Sequence, residues 1–275
     1  MKPDRGLGLA LRYLAAVVAL IVFLFPLYWL FGMSLKTAEE IFAYPPVWWP
    51  SAVRFENYLV LFRDGDAKTI GNSLVIATVS TVLAMFFGTL CAYSIARFRT
   101  GGDNFAMWVL SNRMLPPIVI VFPIFLLYVK LGWVDTYLGL IILYTAFNLP
   151  YVIWMMRGYI QDIPLELEES ALVDGCTRWG VFRKVVLPMA RSGIFATAVF
   201  TFVFAWNEFL FALVFITSDS FRTLPVGLAG LIRGDIYLWG PMMAGSVLAA
   251  IPVMVLYTLA NRMLVQGLAA GAVKG

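Results

Sequence analysis

Residues 168–175 read Glu168-Glu169-Ser170-Ala171-Leu172-Val173-Asp174-Gly175, and Leu187-Pro188 follow twelve residues after the glycine. The stretch is polar and helix-forming, yet apolar runs from Val134 to Met156 and from Gly193 to Ile216 enclose it. Each run is long enough to cross a hydrocarbon layer of ~30 Å as a helix of ~20 residues. Four more such runs lie further out: Leu9 to Met33, Ile70 to Ile95, Phe105 to Val129 and Pro241 to Leu264. In lipid every backbone polar group must find its partner within the protein, which leaves the helix as the default for each run. The sequence therefore predicts an all-α membrane protein with six transmembrane helices. The spans cover about 9–33, 70–95, 105–129, 134–156, 193–216 and 241–264, in a single transmembrane domain over residues 1–275. One ordered polar loop, residues 157–192, joins the fourth span to the fifth. A membrane protein with one such element and no other soluble domain uses it to dock something.

Composition agrees with the class. Charged residues make up 13% of the 275, where a soluble domain carries roughly 25%. The formal charge of +4 is read as membrane topology and not as a nucleic-acid footprint. Cys91 lies inside an apolar run and Cys176 in the polar loop, so no disulfide framework is implied. There is no histidine, which removes histidine triads and histidine metal sites; no catalytic residue and no metal site is expected. Lys2, Arg5 and Arg12 precede the first run as in a signal peptide, but the run is too long and lacks a small-residue cleavage site, so it reads as an uncleaved span.

Basic residues set the orientation. With the N-terminus inside, inner segments hold twelve Lys and Arg, among them Arg97, Arg99, Arg157, Arg178, Arg183, Lys184 and Arg191, against seven outside. This bias puts both termini in the cytoplasm and makes 157–192 a cytoplasmic loop. Within it Pro164 suits a first helical turn, and Glu166, Glu168 and Glu169 place negative charge near the positive end of the helix dipole. Gly175 fits the left-handed position that ends a helix. Thr177 can cap a second helix, along which Trp179, Phe182 and Val186 recur before Pro188 stops it. Residues alone also allow a helix pair that merely rests on lipid.

The loop resembles the signature of the membrane subunits of ABC importers: Glu-Ala-Ala, three residues, Gly, nine residues, Ile, one residue, Leu-Pro. Here it reads Glu169-Ser170-Ala171, Gly175, Val185 and Leu187-Pro188, with Ser for the middle Ala and Val for Ile. Further stretches are similar to the smaller membrane subunit of maltose-type sugar importers. They are Ser34-Leu35-Lys36, Glu39-Glu40-Ile41-Phe42, Arg113-Met114-Leu115-Pro116-Pro117, Trp206-Asn207-Glu208-Phe209 and the tail from Gly271. The resemblance implies a type I importer in the inner membrane, with a second, different permease subunit and two copies of an ATPase. An extracytoplasmic binding protein delivers a carbohydrate. Glu169, Ser170, Ala171, Asp174, Gly175, Arg183, Leu187 and Pro188 then form the ATPase-coupling loop. The chain itself carries no cofactor: ATP and Mg sit on the ATPase subunits. Consistently, no GxxxxGK[ST] phosphate loop occurs in it.

Polar groups inside spans are expensive and need a reason. Arg113 in the third span and Asn207 with Glu208 in the fifth either line the pathway or its gate, or bond to a neighbouring helix. The outer loop carrying Arg233, Asp235 and Tyr237 resembles the region that meets the binding protein; a plain connecting loop is the other reading. An ion-gradient carrier would show internal repeats and several midplane carboxylates, whereas Glu208 is alone deep in a span. A membrane-embedded enzyme would need a catalytic cluster near one surface, and the loop's acids are explained by a helix start.

Overall fold

The computed structural model describes residues 5–63, 67–102, 104–231 and 238–272. Among the described residues every regular element is a helix: α1 (Arg5–Ser34), α2 (Ala38–Ile41), α3 (Glu56–Arg63), α4 (Ala67–Phe98), α5 (Phe105–Ser111), α6 (Pro117–Leu131), α7 (Tyr137–Gln161), α8 (Leu165–Val173), α9 (Arg178–Val181), α10 (Leu187–Met189), α11 (Arg191–Trp206), α12 (Leu210–Phe215), α13 (Leu224–Gly230) and α14 (Trp239–Ala272). Four segments are long and apolar enough to span a membrane unbroken: Gly8–Ser34, Lys68–Phe98, Tyr137–Gln161 and Trp239–Ala260. Two more are bent pairs, Phe105–Met114 with Pro117–Leu131 at 92° and Arg178–Met189 with Arg191–Trp206 at 75°. Among the described residues the count is four, or six when each bent pair is one span.

Two expected spans are therefore not single helices. The run 105–129 breaks at Leu115 and Pro116, whose ψ values of 127° and 124° are extended. A proline pushes the residue before it out of the helical region, and two in succession turn the chain. The run 193–216 breaks after Trp206: α11 has 16 residues, ~24 Å at 1.5 Å per residue, short of the hydrocarbon thickness. The fourth span starts at Tyr137 and not at Val134. Asp135 takes a left-handed backbone with φ 57°, and Thr136 caps α7 by accepting from the Gly139 N–H at 3.0 Å.

By compactness the chain divides into two units, residues 1–67 with 228–251 and residues 68–227 with 252–275. In the first, the C-terminal end of α1 is fastened by polar contacts. Asn57 Nδ2 donates to the carbonyls of Ser34 and Lys36 at 2.9 and 3.0 Å. The buried Lys36 ammonium donates to the Val47 carbonyl and lies 4.5 Å from the Trp29 ring centroid. Burial pushes this amine below its ordinary value, with Glu40 partly opposing. Trp48 and Phe25 pack around Trp29.

In the second unit α4 and α7 approach closely at Gly88, where an added Cβ would lie 2.6 Å from Val152 Cγ1. Beneath that contact an apolar cluster joins Met85, Tyr93, Met156, Ile160, Phe182 and Val186. At the opposite end, Asn72 Nδ2 donates to the carbonyls of Ser220 and Arg222 at 3.1 and 2.8 Å, and Asn72 Oδ1 accepts the Tyr137 hydroxyl at 2.7 Å. Asp135 accepts from the N–H groups of Thr217 and Ser218 at 2.6 and 2.8 Å and from the Thr217 hydroxyl. Burial would raise the Asp135 carboxyl, but the Thr217 hydroxyl and the N–H groups of Ser218 and Thr217 outweigh it and hold the group below its ordinary value.

Candidate functional site

The loop of residues 157–192 is built as two short helical pieces around one turn. Pro164 is the residue just before α8, and Glu166 and Glu168 fall in the first turn. Gly175, at φ 85°, closes α8 with a left-handed residue that a side chain would strain. Its N–H donates to the Leu172 carbonyl and that of Cys176 to the Ala171 carbonyl, both at 3.0 Å, which satisfies two orphan carbonyls of the helix end. Thr177 then caps α9 by accepting from the Gly180 N–H at 3.1 Å. Beyond α9 the chain widens into a π-helical segment, Phe182–Val186, before α10. Pro188 does not stop the helix as expected: the helical run Arg178–Met189 continues through it by way of the π-helical segment. The bend comes after it, at Ala190.

Burial sorts the sequence-predicted residues. Glu169, Ser170, Asp174, Gly175, Arg183 and Pro188 are exposed, and Ala171 and Leu187 are half-buried. Val173 adds an apolar side chain that is 89% exposed. The other face is sunk: Val181, Phe182 and Val186 are in the cluster with α4 and α7, and Ala171 and Leu172 pack against it. The loop thus has a rooted side and a free side.

The sequence reading missed the group that roots it. Glu168 is buried beside the exposed Glu169. Arg97, in the last turn of α4, donates from Nε to Glu168 Oε1 at 2.6 Å, and the two side chains are 10% and 6% exposed. The Tyr93 hydroxyl donates to Glu168 Oε2 at 3.0 Å. A terminal nitrogen of the same guanidinium donates to the carbonyls of Ile160 and Ile163, both at 2.8 Å. The available signal was spacing: Tyr93 and Arg97 stand four apart near the C-terminal end of a span, hence on one helix face.

The second candidate site is a cavity of about 270 Å³ whose lining includes Arg113, Tyr144, Asn148, Phe204 and Glu208. The structure brings Arg113 and Glu208 to one place. Asn207, expected with them, is not in the lining; its Nδ2 donates back to the Val203 carbonyl at 2.8 Å. Glu208 accepts the Tyr144 hydroxyl at 2.6 Å and the N–H groups of Phe211 and Ala212 at 2.8 and 3.1 Å. Its carboxylate therefore supplies the broken span with a new helix start at α12. Arg113 lies 4.6 Å from the Phe204 centroid and 5.3 Å from that of Tyr151, and reaches the Phe147 carbonyl at 3.4 Å. No ion pair joins it to a carboxylate among the described residues. A larger cavity of about 370 Å³ between α4, α11 and α14 is lined without a charged residue and offers less to a polar solute. Arg233, Asp235 and Tyr237 lie outside the described residues.

A family model described as "Binding-protein-dependent transport system inner membrane component" matches residues 84–269. The inner membrane ABC transporter permease protein YcjP of Escherichia coli strain K12 is 37% identical over 269 residues, 96% of this chain and 95% of that protein. The trehalose/maltose transport system permease protein MalG of Thermococcus litoralis is 34% identical over 271 residues, 96% of each. Among solved structures, a chain of a bacterial ABC transporter involved in import of the acidic polysaccharide alginate superposes with a TM-score of 0.78 at 22% identity. The match covers 95% of this chain and 98% of that one, and it speaks for the fold.

Proposed function

The chain belongs to the family of binding-protein-dependent transport system inner membrane components, and on that premise we propose that it is the permease subunit through which a saccharide enters the cell. As a member it is a permease component of the inner membrane and not an ATPase. The saccharide is inferred from the cargo in the names of its relatives. We assign all 275 residues to one transmembrane domain with both termini in the cytoplasm. The 157–192 loop is the element on which an ATPase docks, ATP and Mg being held by two ATPase copies. A second, different permease completes the pathway, and an extracytoplasmic binding protein delivers the solute near Arg233, Asp235 and Tyr237.

One observation carries this reading: the loop is fastened to two spans on one side and presents Glu169, Ser170, Val173 and Asp174 on the other. A docked partner can therefore bias which of two states the spans adopt. The cavity with Arg113 and Glu208 is assigned to the pathway, where a guanidinium and the Asn148 amide face a passing sugar's hydroxyls. Affinity purification of the chain from its native membrane, followed by mass spectrometry, tests the assignment. Co-recovery of an ATPase, a second permease and a binding protein is expected. Recovery alone, with uptake driven by an ion gradient after reconstitution, would overturn it.

A further inference from the structure

Arg97, on α4, reaches two further helices and the connection between them with one rigid group. Its guanidinium is planar, so the directions of its donors are fixed relative to one another. One edge meets Glu168 on α8, and a terminal nitrogen meets the carbonyls of Ile160 at the end of α7 and Ile163 just beyond it. Helix ends give the arrangement its sense. The cation lies at the negative end of the α7 dipole and the carboxylate at the positive end of the α8 dipole, so the pair joins two helix termini that each favour its partner's charge. Tyr93, one turn above Arg97 on α4, fills the second carboxylate oxygen.

Stability alone is a weak reason for such a group, because well-packed apolar residues often serve a buried site as well or better. What an apolar contact lacks is direction. The elements joined by the ion pair are also those joined by the apolar cluster around Met156, Phe182 and Val186. Polar and apolar contacts therefore fasten the same parts, while Glu169, one residue on, stays exposed for contact.

We propose that Tyr93, Arg97 and Glu168 are positioning residues that make α8 and the inner ends of α4 and α7 one rigid block, so that a displacement delivered to α8 by the ATPase passes into two spans without slack. This rests on the docking role assigned above to the loop. Glu169 and its exposed neighbours receive the push; Glu168 and Arg97 hold the angle at which it is passed on.

The test is a distance measurement between spin labels in the purified complex with its ATPase, nucleotide-free and after trapping with ATP and vanadate. Labels are placed by Glu166→Cys on α8 and Phe87→Cys on α4, with Cys91 and Cys176 replaced by Ala. With the native triad the distance should hold within ~1 Å between the two states, at or below an ordinary helix shift at an interface of ~1–2 Å. In Glu168→Gln it should change or spread by more than that, with the ATPase still bound. If Glu168→Gln is not recovered from membranes, Tyr93→Phe, which deletes a single donor, should show the same change at smaller amplitude. A distance that changes with the triad intact, or one that stays fixed in these variants, overturns the proposal. Failure of the ATPase to co-purify with the unmutated chain would instead remove the docking role, and the proposal with it.

Discussion

Asp135 shows how one carboxylate can hold a loop to a span end. It takes a left-handed φ of 57° and accepts from two N–H groups and a hydroxyl on residues 217 and 218. Because these bonds favour its charged form, its folded value lies below that of the unfolded chain. Its stabilising contribution is complete above about pH 3.9, the ordinary aspartate value, and is lost as pH falls through the lower folded value. Asp135→Asn tolerates the backbone but not the charge. Thermal unfolding in detergent should place the variant below the wild type at neutral pH, with the gap closing as the pH is lowered through that window. A gap independent of pH would mean the carboxylate's charge is not what holds residues 217 and 218. Legibility at this scale was uneven. Gly175 and Thr177 could be placed because each satisfies a local rule of helix ends. Glu168 and Asp135 could not, because their partners lie 71 and 82 residues away in sequence.

Elements were readable where hydropathy and direction coincide. The four unbroken spans follow from apolar length alone, but an apolar run averages over its residues and does not register a change of backbone direction. The third span needed the weight of Leu115-Pro116-Pro117, and the fifth that of Glu208, a carboxylate whose charge marks the start of α12. Glu208→Ala should leave the N–H groups of Phe211 and Ala212 and the buried Tyr144 hydroxyl unpaired, each at a cost of about 1–3 kcal/mol. Hydrogen–deuterium exchange should then accelerate at residues 210–212, with little change in α11. Unaltered exchange there would show that α12 starts without the carboxylate. Glu208→Gln, which keeps acceptor oxygen, should fall between the two.

At the scale of the molecule, burial is unequal among the spans. None of the most apolar window of α1 is buried within the chain, whereas 39% of the corresponding windows of Lys68–Phe98 and Tyr137–Gln161 is. Sequence could not separate these cases, since a lipid-facing helix and a packed one are equally apolar in a bilayer. The difference predicts opposite sensitivities. Met156→Ala, at a position with no exposure, should cost about 2–5 kcal/mol by leaving a hole in the α4–α7 cluster. Leu14→Ala, at a position 61% exposed, should change stability by no more than about 0.5 kcal/mol. Unfolding of the isolated chain in detergent compares the two directly, and equal losses would place α1 in the same cooperative core.

The carboxylate at the break in the fifth span has one further consequence. Glu208 is already engaged by a hydroxyl and two N–H groups of its own chain, so it has little left to offer a visitor. A transport route must admit its solute without retaining it, so, on the pathway role proposed above, a wall whose strongest acceptor is spoken for would give short dwell times. On that role, capture would fall to whatever delivers the solute, and this wall would serve to let go.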